Sequence, residues 1–521
     1  MVAPMSDADV VIVGSGATGS LLAAHLGTSG RRVIVLESGP ARRLDQLVSS
    51  TIWSRRLKWG GAPVRTEGAN PVVPSFEAGW GTGGSALHHY ACWFRLHPED
   101  FEMASRYGKG LDWPLAYDEL RPFYDSVQRE VGLSGDAKLE VWRPRGAPYP
   151  MPPQPVFAQG EIIARGFAKL GERVAPLPMA INSVAYDGRP PCIQDGWCDA
   201  GCPTGALANP IAVYGPAMRK AGVQLINDAT VTRVLTDATG RRVAGVDYVD
   251  AQGTMRTVRA SVVILAAFAV QNPRILLNSG NARHPKGLAN SSGLVGRYFT
   301  SHGAVNLYGL FPERTDNHMG RSGGQLVSQD HYAKDPKRGY LSGYTWRIGN
   351  ALKLADLAGI ANSRGDLFGA ALNEFMKRAA QHLATMSALV ENLPSLENRI
   401  ELSADKDSHG LPLARVVHSL GEDARKCLEA ATEAGRKIFT AAGATEVWAA
   451  PLRTEHLTGG TIMGSDPAKS VTDGYGQTHD VANLFIAGPG LFPTSGAVNP
   501  TFTAAALAAR TAQYIAREVR T

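Results

Sequence analysis

Three of the chain's five cysteines, Cys192, Cys198 and Cys202, fall within eleven residues. Thiolates are soft ligands, and the glycines of this loop allow backbone N–H groups to turn toward sulfur, as iron–sulfur sites require. The spacing predicts three thiolate ligands and a three-iron cluster. A zinc site, which usually takes four protein ligands, reduced thiols and a disulfide remain as alternatives. Cys92 and Cys427 are expected to be ordinary buried thiols.

A second group of residues has the spacing of a dinucleotide-binding turn. A buried-strand run is followed by a G-x-G-x-x-G pattern, a helical stretch and a second strand that ends in Glu37. Gly14 would form the tight turn, Gly16 would let backbone N–H groups approach a pyrophosphate, and Gly19 would let helix and strand pack. Glu37 can accept hydrogen bonds from ribose hydroxyls. FAD and NAD both use this turn, and the expected contacts are Gly14, Gly16, Ala17, Thr18, Gly19 and Glu37.

Further cofactor contacts are expected from segments that arrive later in the chain. Trp80 to Ser85 is a second glycine-dense loop, and strand-like runs begin at Asn227 and Asn483. The last of these leads through a Gly/Pro loop into a helix near Pro500, whose first turn would direct N–H dipoles at an anion. The predicted contacts are Gly83, Gly84, Ser85, His88, Val231, Gly488, Pro500 and Thr501.

The composition is that of an ordinary globular chain. Its 521 residues are 44% hydrophobic and 19% charged, and the formal charge of +6 is spread over Lys and Arg residues without a run of five. Nucleic acid is therefore a poor candidate for a partner. The longest apolar run, Val262 to Val270, is shorter than a membrane helix needs, and the first strand begins too early for a signal peptide. We expect no export signal in this chain, and a cytoplasmic location, or a periplasmic one if it is exported with a partner.

Five blocks of the sequence together resemble the glucose-methanol-choline (GMC) flavoprotein oxidoreductases. They are the first glycine turn, GGSALHH, residues 112–135, residues 290–302, and a carboxyl-terminal block with His456, Gly459, Met463, Gly464 and FPTSGAVNPT. The resemblance implies bound FAD and places His456 and Asn499 beside the flavin ring. His88 stands where some relatives attach the flavin covalently, although those relatives often have Trp at the position of His89.

The resemblance and the strand pattern together predict an α/β (α+β overall) fold. Residues 1–100, 205–300 and 445–521 would build a discontinuous Rossmann-like FAD-binding domain around a mostly parallel sheet. Residues 101–204 would form a connecting segment that carries a lid and the cysteine loop. Residues 301–444 would form a substrate-binding domain on a mostly antiparallel sheet backed by helices, with RIELSAD and LPLARVVHSL among its strands.

The two residues beside the flavin define the expected chemistry. Oxidation of an alcohol removes the hydroxyl proton while the carbon-bound hydrogen leaves as hydride, and neutral imidazole suits the first task. We predict that His456 is the general base and that Asn499 holds the substrate oxygen against flavin N5. Asn499 is also placed to cap the last helix beside Pro500.

The cysteine loop resembles that of the large subunits of bacterial gluconate, fructose and FAD-dependent glucose dehydrogenases, which implies a 3Fe-4S cluster. Such a cluster would pass electrons singly to a cytochrome c-type or quinone-linked partner, and a small accessory subunit is expected. The predicted enzyme is an FAD-dependent dehydrogenase of a sugar, sugar acid or similar polyol that meets membranes only through partners. A cluster-free oxidase that uses oxygen, a GMC-like lyase and an electron-transfer flavoprotein without its own substrate remain as alternatives.

Overall fold

A computed structural model describes residues 7–58, 60–73 and 78–520. Residues 1–6, on which the signal-peptide prediction partly rests, lie outside the described residues. No helix among the described residues is both long enough and apolar enough to span a bilayer.

The strands follow one another along the whole chain. They are β1 (Ala8–Val13), β2 (Val33–Leu36), β3 (Arg65–Glu67), β4 (Ala175–Pro176), β5 (Gln224–Ile226), β6 (Thr230–Thr236), β7 (Val243–Val249), β8 (Met255–Leu265), β9 (Thr300–Leu310), β10 (Leu326–Ser328), β11 (Tyr344–Ile348), β12 (Leu383–Val390), β13 (Arg399–Lys406), β14 (Pro412–Val417), β15 (Glu446–Ala449), β16 (Arg453–Thr458) and β17 (Leu484–Ile486).

The helices lie between these strands. They are α1 (Ala17–Thr28), α2 (Thr51–Arg56), α3 (Met103–Tyr107), α4 (Tyr117–Val131), α5 (Ala158–Lys169), α6 (Pro210–Val213), α7 (Gly215–Lys220), α8 (Gln271–Asn278), α9 (Leu354–Ala361), α10 (Gly369–His382), α11 (Glu422–Ala442) and α12 (Thr501–Glu518). Single 3₁₀ turns cover Leu44–Gln46, Gly84–Leu87, Pro98–Phe101, Cys198–Ala200, Pro336–Arg338 and Pro489–Leu491.

The first large sheet is a parallel core with an antiparallel extension. Strands β5, β2, β1, β8 and β17 pair in parallel in that order. The first half of the long strand β8 pairs instead with β7, and β7 with β6, in antiparallel fashion. Helices α1, α4 and α12 contribute buried apolar side chains to the core that this sheet shares. A βαβ unit covered by helices requires continuous apolar strands, and ADVVIV and VIVL satisfy this requirement.

The second large sheet is antiparallel. Its order is β15, β9, β12, β11, β10 and β4, and β16 also pairs with β9. Alternate residues of β9, β11 and β12 point to α5 and α11 and form a second core with them. The fold is therefore the mixed α/β arrangement that the sequence predicts. The strands β4, β15 and β16 lie outside the 301–444 range given for this sheet.

Two predicted strands belong to a different sheet from the one to which the sequence pattern assigns them. RIELSAD and LPLARVVHSL do form strands, β13 and β14, but they do not join the second sheet. They pair with each other, and β14 pairs in parallel with β3 to give a small third sheet. The partner β3 lies more than 300 residues earlier in the chain, so no local pattern could indicate this pairing.

Candidate active site

Residues of both large sheets line a cavity of about 910 Å³. Such a volume is in the range of roughly 300–1,000 Å³ that small-molecule and cofactor sites occupy. The cavity begins at the first glycine turn, passes the start of α12 and ends at side chains of β11 and β16. One continuous cavity is therefore lined both by the predicted nucleotide contacts and by His456 and Asn499.

The first glycine turn has the geometry of an anion-binding turn. Gly14 has φ +100°, and a Cβ there would lie 2.6 Å from the Ala266 carbonyl oxygen. A Cβ on Gly19 would lie 2.0 Å from the Gly14 oxygen, so neither position tolerates a side chain. A Cβ on Gly16 would instead meet no protein atom within 4 Å, because Gly16 faces the cavity. The α1 N-terminus, with no acidic residue in its first turn, therefore presents free N–H groups there.

The second glycine loop packs directly against the first. Gly84 lies close enough to Gly16 that a Cβ would come within 3.0 Å of the Gly16 Cα. Ser85 accepts a hydrogen bond from the Gly79 backbone through Oγ, at 2.9 Å. Of the predicted cofactor contacts, those that line the cavity are Gly14, Gly16, Ala17, Thr18, Glu37, Gly84, Ser85, His88, Val231, Gly488, Pro500 and Thr501. Gly19 and Gly83 lie behind this wall and shape it, because Gly83 N donates to the Ser15 carbonyl.

Glu37 has a different role from the one expected of a free ribose acceptor. Its Oε2 accepts from the backbone N–H and the hydroxyl of Ser15, both at 2.9 Å. Its Oε1 accepts from Gly39 N at 3.0 Å and Gly81 N at 3.1 Å. A carboxylate has about four acceptor positions, and here the protein fills them. Glu37 therefore joins the two glycine loops to each other while it lines the cavity.

His88 is 7% exposed and lies beside a lysine in the cavity wall. Its Nδ1 is 3.1 Å from Lys58 Nζ, and its Nε2 has no hydrogen-bond partner among the described residues. Burial, followed by the positive charge of Lys58, holds the pKa of His88 well below its ordinary value. The ring is therefore neutral at physiological pH.

The structure brings His456 and Asn499 together at the far end of the cavity. His456 Nε2 lies 2.9 Å from Asn499 Nδ2, although the two residues are 43 positions apart. The amide N–H donates, so the imidazole lone pair points at Asn499 and the ring proton is on Nδ1. Burial, aided by His302 and two arginines and opposed by Glu455, lowers the pKa of His456 to about 3. Asn499 Oδ1 has no partner among the described residues, which leaves it available to a ligand.

Three charged residues beside His456 were not predicted from the sequence. Glu455 accepts a hydrogen bond from Arg347 at 3.0 Å and also pairs with Arg453, and all three line the cavity. Burial would raise the pKa of Glu455, but Arg453 and Arg347 together keep it well below its ordinary value. The alternation of β11, in which Arg347 stands between apolar core residues, is the signal that could have identified Arg347.

The cysteine loop does not form a recognisable metal centre. No group of three or more His, Cys, Asp or Glu side chains within residues 7–58, 60–73 and 78–520 is arranged to hold a metal ion. Two of the three sulfurs have local contacts: Cys192 accepts from Gln194 N, and Cys202 accepts from Leu207 N, each at 3.4 Å. The predicted three-thiolate site is therefore not confirmed. Burial, followed by the neighbouring Cys192, raises the pKa of Cys198 to about 12.

Comparison with known proteins assigns the family. Two family models described as GMC oxidoreductase match residues 8–304 and 394–508. The chain belongs to the GMC oxidoreductase family. It is therefore an FAD-dependent oxidoreductase, and the open Gly16 turn and the unobstructed α1 N-terminus fit this cofactor.

Curated relatives cover nearly the whole GMC chain. It is 33% identical to a fructose dehydrogenase large subunit from Gluconobacter japonicus, over 98% of each chain. It is 31% identical to a 2-methyl-1,2-propanediol dehydrogenase from Mycolicibacterium austroafricanum, over 98% of this chain and 95% of that one. A gluconate 2-dehydrogenase flavoprotein from Pantoea cypripedii is 28% identical, over 96% and 92% respectively.

Solved structures share the fold. An FAD-dependent oxidoreductase from Chaetomium thermophilum superposes with a TM-score of 0.69, at 16% identity, over 98% of this chain and 99% of that one. A pyridoxine 4-oxidase from Mesorbium loti gives a TM-score of 0.65, at 18% identity, over 97% and 99%. At these identities the likeness supports the GMC fold alone.

Proposed function

We propose that the protein is a dehydrogenase that oxidises an alcohol group of a sugar, sugar acid or similar polyol to a carbonyl. The observation that carries this proposal is the contact between His456 and Asn499 at the end of the cofactor cavity. The names of the relatives support the substrate class, since they act on fructose, gluconate and a small diol.

In the proposed chemistry, a base takes the hydroxyl proton of the alcohol, and a separate acceptor takes the carbon-bound hydrogen as hydride. FAD, when bound, supplies the acceptor for the hydride that leaves carbon. The substrate hydroxyl would replace the Asn499 N–H at His456 Nε2, and this nitrogen would then accept the hydroxyl proton. Asn499 holds the substrate oxygen through its amide and so fixes the angle of the carbon–hydrogen bond. Burial keeps the His456 ring neutral at neutral pH, so Nε2 carries no proton before the substrate binds.

We also propose that the cysteine loop holds a 3Fe-4S cluster through Cys192, Cys198 and Cys202. Such a cluster would carry electrons one at a time to a protein partner of cytochrome c type, with a small accessory subunit in the complex. Cys192 and Cys202 already accept backbone N–H bonds, as iron–sulfur ligands do. The words "large subunit" in the name of one relative are consistent with an assembly of several chains.

A buried arginine behind the loop supports a negative charge there. Arg321 is completely buried and bonds only carbonyl or amide oxygens, of Pro155, Gln194 and Gly324. No carboxylate among the described residues pairs with it. A buried charge without a counter-charge is costly, and burial lowers the pKa of Arg321 only to about 10. Thiolates bound to metal would supply the missing negative charge.

The proposal is tested by anaerobic mixing of the FAD-loaded protein with a panel of sugars, sugar acids and polyols. We expect at least one compound to bleach the visible flavin absorbance. His456→Gln should slow this step by roughly 10²- to 10⁴-fold, the usual contribution of a general base. His382→Gln, which lies outside the cavity, is the matched control. Failure of every alcohol, or a His456→Gln rate equal to that of the control, would refute the proposal.

A cluster-free oxidase is the second candidate, because a relative that is 28% identical over 98% of this chain is a paromamine 6'-oxidase from Streptomyces fradiae. The two candidates differ in their electron acceptor. Iron content, EPR spectra and oxygen consumption of the purified protein distinguish them. Substoichiometric iron together with rapid oxygen consumption would favour the oxidase.

A further inference from the structure

We infer that the substrate end of the cavity binds a carboxylate of the substrate through Arg347 and Arg453. The inference rests on the proposed function, and it selects one class within it: alcohols that also carry an anionic group, such as sugar acids. Neutral sugars and polyols would then be poorer substrates.

The two arginines share one carboxylate next to the general base. Arg347 Nη2 is 3.0 Å from Glu455 Oε2, and Arg453 pairs with the other oxygen of the same carboxylate. Glu455 immediately precedes His456 in β16. All four residues line the cavity, so a molecule whose hydroxyl group is at His456 has the two guanidinium groups within reach.

The charges of this group do not cancel. Two guanidinium groups face one carboxylate, and burial keeps the neighbouring rings of His302 and His456 neutral, with pKa values of about 4 and about 3. An outer group contains Lys353 and its two carboxylate partners, Asp199 and Asp356. None of those three lines the cavity. The cavity wall beside His456 therefore carries two guanidinium groups and one carboxylate, and the carboxylate that balances the second guanidinium lies outside this wall.

Hydrogen-bond donors are also left over. Arg347 has 5% of its side chain exposed, and its Nε has no partner among the described residues. Arg453 is 44% exposed, although the Glu455 that it pairs with is only 11% exposed. A buried donor without a partner is costly, and guanidinium N–H groups match a carboxylate in geometry and charge. A substrate carboxylate would supply the acceptor that these donors lack and would place a negative charge directly against the guanidinium groups, which a hydroxyl cannot do.

Arg347 and Arg453 belong to the substrate end and not to the nucleotide end. They lie on β11 and β16, in the second sheet, together with His456. The open backbone N–H groups suited to a pyrophosphate lie at Gly16 and the start of α1, in the first glycine turn. The cofactor phosphates therefore have their own binding elements, and they do not account for these arginines.

D-gluconate and D-glucitol are the probes that test this assignment. They share a six-carbon polyol chain and differ in whether one end is a carboxylate or a hydroxymethyl group. In anaerobic mixing with the FAD-loaded protein, we expect the apparent second-order rate constant of flavin reduction to be about 10- to 100-fold larger for gluconate, the range of a charged hydrogen bond. Raising the salt concentration should weaken gluconate binding and leave glucitol binding unchanged. Equal rate constants with equal salt dependence would overturn the inference.

Arg453→Gln is the decisive variant, because its exposed side chain can be removed while Glu455 keeps its bond to Arg347. The gluconate preference should fall to within about threefold of unity, with most of the change in the apparent dissociation constant, and Arg453→Lys should restore part of it. Arg425→Gln, on the exposed side of α11, is the control and should keep the full preference. A preference that survives Arg453→Gln would overturn the role given to Arg453.

A binding measurement separates this inference from the proposed function. Acetate, which has a carboxylate and no alcohol, is titrated into the oxidised FAD-loaded protein while the flavin spectrum is recorded. We expect saturable binding that is weakened at least tenfold in Arg453→Gln and unchanged in Arg425→Gln. If no alcohol reduces the flavin but acetate binds in this way, the proposed function fails and the anion site stands. If alcohols reduce the flavin but acetate does not bind, the anion site fails alone.

Discussion

His456 has a backbone conformation that explains how two neighbouring residues serve one site. Successive residues of a regular strand point to opposite faces, so Glu455 and His456 should face away from each other. The register of β16 against β9 shifts between Glu455 and Thr458, and His456 has φ +56°. A bulge of this kind redirects side chains, and both residues line the cavity. The strain of a non-glycine residue in this region is roughly 1–3 kcal/mol, and such strain is typical of functional sites.

Asn499→Ala tests whether the amide orients the substrate. The change removes the donor to His456 Nε2 and the unpartnered Oδ1. The helix that follows should stay intact because its N-cap is Pro500 and Asn499 makes no capping bond to it, so the expected capping role of Asn499 is wrong. We expect the limiting rate of flavin reduction to fall about 10- to 100-fold, the cost of one strong hydrogen bond. Stopped-flow absorbance measures this rate, with Asn362→Ala, at the exposed end of α9, as the control. An unchanged limiting rate would exclude an orienting role for Asn499.

Individual site residues differ in how well the sequence reveals them. Gly14 and Gly19 are predictable because they belong to a local G-x-G-x-x-G pattern between a strand and a helix. The contact that excludes a side chain at Gly19 is also local, with the Gly14 oxygen, whereas at Gly14 it comes from Ala266, far along the chain. His456 and Asn499 required the resemblance to a family, since a lone histidine or asparagine has no local signature. Arg347 and Glu455 are 108 residues apart, and only the folded chain shows that they form a pair. The thiol spacing indicated a metal, and that prediction is still to be tested by iron analysis.

At the scale of elements, the sequence predicts those whose partners are near in the chain. The β1–α1–β2 unit contains its own glycines, apolar strands and helix, so its parallel pairing follows from local pattern. The segments that form β13 and β14 have equally clear strand patterns, but the sheet to which they belong depends on the pairing of β14 with β3. Strand identity is therefore a local property, whereas sheet membership depends on contacts across the whole chain.

Gly16→Ala tests whether the first turn is open for the cofactor. The backbone of Gly16 has φ −70°, and the added methyl group meets no protein atom, so the fold should be unaffected. The methyl group would instead occupy the space through which a pyrophosphate approaches the N–H groups of α1. We expect the protein to fold normally and to bind FAD at least about tenfold more weakly, a loss of one backbone contact.

Gly359→Ala is the matched control for this change. Gly359 lies within α9, where a Cβ also meets nothing within 4 Å, and it does not line the cavity. Alanine should stabilise this helix by roughly 0.5–1 kcal/mol and leave FAD affinity unaltered. Flavin release measured by fluorescence distinguishes the two variants. Equal FAD retention in both would show that Gly16 is not at the cofactor.

At the scale of the whole molecule, the interior contains several histidines that the fold keeps neutral. Burial lowers the pKa of His89, His97 and His302 to about 4 and that of His456 to about 3. In an unfolded chain these rings would bind protons near pH 6.5. Between pH 6.5 and about 4 the unfolded chain therefore holds more protons than the folded one, so stability is full above pH 6.5 and is lost as the pH falls. Glu140, whose pKa burial raises to about 7, acts in the opposite direction.

The urea midpoint of the FAD-loaded protein should consequently fall steadily from pH 6.5 to pH 4.5. Each histidine contributes about 1.4 kcal/mol per pH unit over this interval, since one pKa unit corresponds to about that energy. His97→Phe can keep the stacking on Tyr332 and removes one of the histidines that bind a proton only in the unfolded chain. The urea midpoint of this variant should therefore fall less steeply as the pH decreases. Circular dichroism at each pH gives the midpoints. A flat midpoint down to pH 4.5 would contradict this account.

The segment from Gly320 to Gly324 touches both sites of the molecule. Gly320 and Ser322 bond the backbone of the cysteine loop at Gln194 and Gly196, and the Gly323 carbonyl accepts from Cys92, which lines the cavity. A partition one segment thick is a short path for electron tunnelling, whose rate decays steeply with distance. In the proposed redox chain, electrons would pass from the cavity to the cysteine loop across this one segment of backbone. The same five residues therefore contact both the place where the electrons would enter the protein and the place from which they would leave it.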